Sequence, residues 1–140
     1  MADFKIDGLA DLMLDLQTLA SLPEQVTEEM LNAQADIVVS AQKSKARALG
    51  IDRTGLTIDS IQKSKVKKFK TGPCITVEFK GSRTRGKTKT RNAEIAFINE
   101  YGKKNQPARP FVNLANEETE AEQTSAALKV YDNYLKSKNL

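Results

Sequence analysis

Residues 81–88, Gly81-Ser-Arg-Thr-Arg-Gly-Lys-Thr88, satisfy the pattern G-x-x-x-x-G-K-[ST] letter for letter. That pattern serves phosphate binding. Its glycines let backbone N–H groups ring the phosphates, its lysine reaches the terminal ones, and its hydroxyl holds Mg²⁺. It works only after a strand and at the mouth of a helix that opens at the lysine. Here Lys89-Thr-Arg-Asn92 follows, which starts a helix poorly, and no apolar strand ending on Asp comes later to hold the metal. A nucleotide-hydrolysing enzyme would lose its activity with Lys87→Ala; the expectation is that there is no activity to lose.

Other chemistry is thin. The chain has no histidine, so the usual general base near neutral pH and the commonest metal ligand are missing. Its single cysteine, Cys74, cannot build a zinc site or an internal disulfide. Cys74 opens an alternating apolar/polar run, so burial is expected rather than reactivity. Glu94 and Glu100 are six residues apart; on a helix they share no face and are expected to be solvated charges. No catalytic residue, metal or cofactor is expected.

The same basic stretch has a second reading. Residues 81–92 hold Arg83, Arg85, Lys87, Lys89 and Arg91, with no acid and no large apolar residue. Lys and Arg neutralise phosphates and Thr donates to them, so contact with a polyanion is one use; contact with an acidic neighbouring subunit is the other. No aromatic is interleaved to stack on bases, which argues against sequence-specific or single-strand binding. Without an apolar anchor, the segment is expected to be a mobile loop or an arm, and a solvated hairpin tip is the plainer reading of its charges.

Charge is segregated along the chain. Residues 1–42 carry a net −7, residues 43–91 a net +12 and residues 92–140 a net −1. Such polarity favours head-to-tail packing of identical subunits, or a basic surface facing a polyanion. At 140 residues with 39% apolar content, one domain with a modest core is expected over residues 1–140. No apolar run nears the ~20 residues of a membrane span, and no signal-peptide pattern opens the chain. A reducing compartment, the cytoplasm of the producing cell, is expected from the lone cysteine.

These residues need elements to position them. Leu9, Leu12, Met13, Leu16 and Leu19 predict an amphipathic helix over residues 8–20. A long helix is predicted over residues 23–49, opened by the capping box Ser21-Leu-Pro-Glu24 and closed by Gly50. Its expected stripe is Val26, Met30, Ala33, Ile37, Ala41 and Ala48. Ile75, Val77 and Phe79 alternate with polar residues and predict a strand over 74–80, paired with 64–70 across Thr71-Gly72-Pro73. Val66 and Phe69 are out of phase, so the first strand carries a bulge or starts late. Leu56 and Ile61 are expected inside. A short helix over 93–101 and a last helix over about 112–135 complete an α+β fold. Its long helix packs on a small antiparallel sheet, with a C-terminal helix beside it.

Between the last two helices lies the most distinctive run, Gly102 through Gln106-Pro-Ala-Arg-Pro-Phe111. Pro107 and Pro110 hold Gln106 and Arg109 extended, making a stiff linker aimed at Phe111. Gly102 is expected at positive φ. Arg109 either ties this turn to backbone carbonyls or reaches a neighbouring subunit. Phe97, Tyr101 and Phe111 are expected to pack on the sheet.

Together with Ala93-Glu-Ile-Ala-Phe-Ile-Asn-Glu-Tyr-Gly102 upstream, the P-A-R-P-F turn resembles the small head–tail joining (neck, or tail-completion) proteins of long-tailed bacteriophages. Arg53-Thr-Gly-Leu-Thr-Ile-Asp-Ser-Ile61 resembles a second element of that family, R-T-G-x-L-x-x-S-I, without the residue between Gly55 and Leu56. The resemblance covers roughly residues 30–115. It implies a virion structural protein made in the host cytoplasm. It implies a homo-oligomer, a sixfold ring, between the portal or adaptor and the tail-terminator or tail-tube proteins, with genomic DNA passing through it and no membrane involved. The motif residues Arg53, Gly55, Tyr101, Gly102, Pro107, Arg109, Pro110 and Phe111 are then turn or interface candidates. A small basic DNA-binding protein without sequence preference is the alternative.

Overall fold

The computed structural model describes residues 22–51 and 54–139. The helix expected over 8–20 and the motif residue Arg53 lie outside them. The fold is α+β: one long helix, short antiparallel strands, and helices at the C-terminal side.

Helix α1 (Glu24–Ala48) starts behind Pro23, whose carbonyl accepts the N–H groups of Val26 and Thr27 at 3.0 and 3.2 Å. Glu24 in its first turn and Lys45 and Arg47 in its last suit the helix dipole. Its fully buried residues are Ala35, Gln42 and Ala46 rather than the expected stripe, of which Ala48 is exposed and the rest half-buried. Ile37, Ala41 and Ala48 of that stripe line a shallow cleft together with Thr119, because separate elements cover α1 on either side of it.

After a one-turn helix, α2 (Leu56–Asp59), the chain enters a long hairpin. Strand β1 (Ile61–Lys63) pairs with β4 (Val77–Phe79), and β2 (Lys67–Phe69) pairs with β3 (Gly72–Cys74). Between the two ladders residues 64–66 oppose residues 75–76, so the first arm carries the bulge that the phase shift of Val66 and Phe69 required. Ser64 pins it. Its N–H donates to the Thr76 carbonyl at 2.7 Å, while its Oγ accepts the Thr76 N–H at 3.1 Å and donates to the Lys65 carbonyl at 2.9 Å. The tight turn is Lys70-Thr71, one step earlier than expected. Pro73 pairs with Lys68 on an edge, where its missing N–H is tolerated.

Two helices of the remaining chain flank α1. Strands β5 (Ser82–Arg85) and β6 (Thr88–Arg91) form a second hairpin, followed by α3 (Asn92–Tyr101), α4 (Phe111–Glu118) and α5 (Glu120–Ser137). The predicted last helix is thus broken at Thr119 (φ −107°, ψ 6°). There Oγ1 donates back to the Ala115 carbonyl at 2.8 Å, a bond that bends helices. Helix α5 runs back along α1, placing Val130 and Tyr134 by Val26. The core gathers at the far end of α1: Ala46, Ile51, Ile58, Ile61, Ala96 and Phe111. Phe111 is wholly buried and meets Phe79 edge-on, with ring centroids 5.9 Å apart. Ile61 is buried as expected, but Leu56 is half exposed and Ile58 takes the inward place on α2.

Candidate functional site

The residues singled out in the sequence come together at the C-terminal end of α1, in a joint and a hairpin. The joint begins at Gly102, whose φ of +79° and ψ of 176° lie in a region open to glycine alone. Lys103 and Gln106 then close a small loop by exchanging backbone hydrogen bonds of 3.0 and 2.9 Å. Pro110 (φ −76°, ψ 66°) centres an inverse γ-turn closed by the Phe111 N–H on the Arg109 carbonyl at 2.8 Å. That turn drops Phe111 into the core at the first position of α4.

Arg109 ties the joint together within the subunit. Its Nη1 donates to the carbonyls of Leu49 and Gly50 at 3.2 and 3.1 Å, the free end of α1. Its Nη2 donates to Asn99 Oδ1 at 2.9 Å, and its backbone N–H to the Asn99 carbonyl at 2.6 Å. Three segments are thereby held by one guanidinium, whose planar fork suits several fixed acceptors. Arg109→Ala is expected to cost about 2–3 kcal/mol, the worth of a charged group's bonds to partly buried acceptors. Arg109→Lys is expected to recover less than half. Urea unfolding of the three proteins checks this, and equal midpoints for wild type and alanine variant would refute the role.

Asn99 and Glu100 were not singled out for these roles. Asn99 is buried inside an apolar helix, a signal that a polar side chain there has fixed partners. The Glu100 carboxylate, expected to be a solvated charge, instead accepts the N–H groups of Val112 and Asn113 at 2.8 and 3.0 Å and caps α4. Glu94 pairs with Arg91 at 3.2 Å.

The expectation that Phe97 and Tyr101 pack on the sheet is corrected. They are 62% and 70% exposed and stack on each other with centroids 4.8 Å apart. The inward face of α3 is occupied by Asn92, Ala96 and Asn99, so residues four apart on the other side face out. With Phe79, Ala93, Pro110 and Val112 they line an open groove of about 560 Å³.

The basic stretch, expected to be a mobile loop or an arm, is an antiparallel hairpin. The Asn92 N–H donates to the Gly81 carbonyl at 3.0 Å, and Asn92 Nδ2 to the Lys80 carbonyl at 2.9 Å, closing its base. Threonines at 84, 88 and 90 favour extended backbone, and Gly86-Lys87 makes the two-residue turn with Gly86 at φ +64°. The residues of the phosphate-loop pattern therefore form a strand, a turn and a second strand, not a loop at a helix mouth. Pairing sorts the bases: Arg83 lies opposite Thr90, and Arg85 opposite Thr88. Arg83 turns inward, donating to Thr54 Oγ1 at 2.8 Å and Thr57 Oγ1 at 2.9 Å beside Gly55. Lys87 and Lys89 are exposed, with no ion-pair partner among the described residues. No group of His, Cys, Asp or Glu side chains suited to a metal occurs among the described residues.

Comparisons of the chain with protein-family models, with curated proteins and with solved structures each find no match.

Proposed function

We propose that this chain is a structural, non-enzymatic subunit of a bacteriophage neck: a homo-oligomeric ring between portal and tail through which DNA passes. The observation that carries the reading is an uncovered aromatic pair on the helix that follows the basic hairpin. The strand bearing Lys89 and Arg91 leads directly into α3, whose Ala93, Phe97 and Tyr101 leave an aromatic pair uncovered above an apolar groove. Large aromatics exposed above an open groove are what a protein–protein contact uses. A closed ring needs two different complementary patches on each subunit. The basic hairpin with its aromatic neighbours is one, and the acidic N-terminal third is the candidate for the other. The P-A-R-P-F turn, whose resemblance to neck proteins suggested the reading, is the joint that fixes this face against α1. In the ring, the subunit docks on the portal or adaptor side and joins the tail-terminator or tail-tube side.

The second reading, a DNA-binding protein without sequence preference, rests on Lys87 and Lys89 at the hairpin tip. Light scattering over a concentration series, with and without short duplex DNA at two salt concentrations, separates them. A ring subunit forms a closed oligomer or ignores DNA until its partners are present. A DNA binder coats the duplex and loses affinity steeply with salt. In the ring reading, Phe97→Ser with Tyr101→Ser is expected to weaken self-association at least about tenfold. The thermal midpoint of the subunit should move little, because both side chains are already mostly exposed. Unchanged association in that variant would remove the aromatic face from the interface.

A further inference from the structure

The long hairpin carries a second basic segment, and its tip lies beside the first turns of α1. Residues 60–77 hold five lysines and no acid. Lys63 pairs with Asp36 at 2.7 Å, and Lys68 pairs with Glu24. Lys65, Lys67 and Lys70 are exposed and have no ion-pair partner among the described residues. Unlike residues 81–92, this segment has an aromatic among its bases. Phe69 is 57% exposed and stands one step before the Lys70-Thr71 turn. Lys67 and Phe69 are two apart in β2 and so share a face of the strand. Phe69 also borders an open groove of about 360 Å³ whose walls include Leu22, Val66 and Pro73.

We propose that the tip of this hairpin binds single-stranded nucleic acid without sequence preference. Phe69 stacks on one unpaired base, and Lys65, Lys67 and Lys70 neutralise flanking phosphates. Free lysines attract the phosphates that every sequence shares. A ring left in water is a stacking platform for an unpaired base, whereas the bases of a duplex are already stacked on each other. The groove beside Phe69 gives the base an apolar wall. Glu24 and Glu28 in that wall keep phosphates outside it, and Glu24 is already balanced by Lys68. An anionic lipid surface would meet the same charge requirement, but the order of residues disfavours it. Lys70 and Thr71 form the tip with Phe69 behind them, so two polar residues would meet lipid before the ring. The inference depends neither on the ring reading nor on the hairpin of β5 and β6.

Fluorescence anisotropy of a labelled oligo-dT of about 12 nucleotides, titrated with the full chain, tests it. Phe69→Ser should weaken single-strand binding about tenfold and leave binding of a duplex of equal length within about twofold. Phe69→Tyr should keep single-strand affinity within about twofold of wild type. Lys67→Ala with Lys70→Ala should make the fall of log affinity with log salt shallower by about 1.4, two phosphate contacts at about 0.7 each. Lys129→Ala with Lys136→Ala, the same charge change on α5, should leave that slope unchanged. All these side chains are exposed, so the thermal midpoints of the variants should stay near that of the wild type. No binding by the wild type, single-strand affinity indifferent to Phe69→Ser, or an equal loss for duplex overturns the proposal. Phe69-dependent flotation with phosphatidylserine vesicles, or Phe69-dependent self-association, with no oligonucleotide bound overturns it as well, because the surface would then serve lipid or a second copy.

Discussion

Phe111→Ala is expected to cost about 3–5 kcal/mol, the largest loss from any single side-chain truncation among the described residues. Among the described residues Phe111 is the largest wholly buried side chain, and it sits where α4, β4 and α1 converge. Truncation removes its transfer energy, leaves a cavity in a core made largely of alanine and isoleucine, and deletes the edge-on contact with Phe79. Few large neighbours are available to collapse into that space, which places the cost toward the upper end. Native domains hold only about 5–15 kcal/mol in total, so a third or more of the stability is at stake. Phe111→Leu should cost about 1–2 kcal/mol, because most of the volume is kept. Urea midpoints for both variants check the order. A loss under about 1 kcal/mol for the alanine variant would mean that the core is not centred on Phe111.

Gly102→Ala is expected to cost about 3 kcal/mol or more, although it adds one methyl group. Two independent penalties act. The backbone at φ +79° and ψ 176° excludes side chains. A Cβ there would also lie 2.8 Å from the Gln106 carbonyl oxygen and 2.9 Å from the Ala108 nitrogen, backbone atoms that cannot swing aside. Gly86→Ala is the matched control. It also has positive φ, but a Cβ there meets nothing within 4 Å, so about 1 kcal/mol is expected. Thermal unfolding of the two variants separates conformational strain from steric exclusion, and equal losses would show that the close approach at Gly102 is not rigid.

Local signals carried well where one element answers to one rule. The long helix, the alternating strand with its out-of-phase partner, the short helix before Gly102 and the inward aim of Phe111 all follow from periodicity or proline geometry. What failed required knowing which face another element would take. Phe97 and Tyr101 have core-like side chains, yet the inward face of α3 went to Asn92 and Asn99, whose bonds to Lys80 and Arg109 depend on residues distant along the helix or beyond it. Arg83 was grouped with the outward bases because composition does not reveal pleat; pairing with Thr90 turns it toward Thr54 and Thr57. The stripe of α1 shifted because two flanks share its cover. For the site, the turn residues were legible as a stiff joint, and Arg109 took the intrasubunit role. The strand pairing of the basic hairpin was not legible beyond a solvated tip, because β-branched threonines among charges look like a solvated tract.

The cap that Glu100 places on α4 bears on the aromatic groove it lines. A partner that seals this groove must also strip water from a carboxylate, ordinarily a heavy desolvation cost. Here both oxygens already accept backbone N–H groups at a helix N-terminus, where the partial positive charge offsets the anion. The wall next to Phe97 and Tyr101 is thus electrostatically quiet, and an apolar surface can close over it without leaving a bare charge behind.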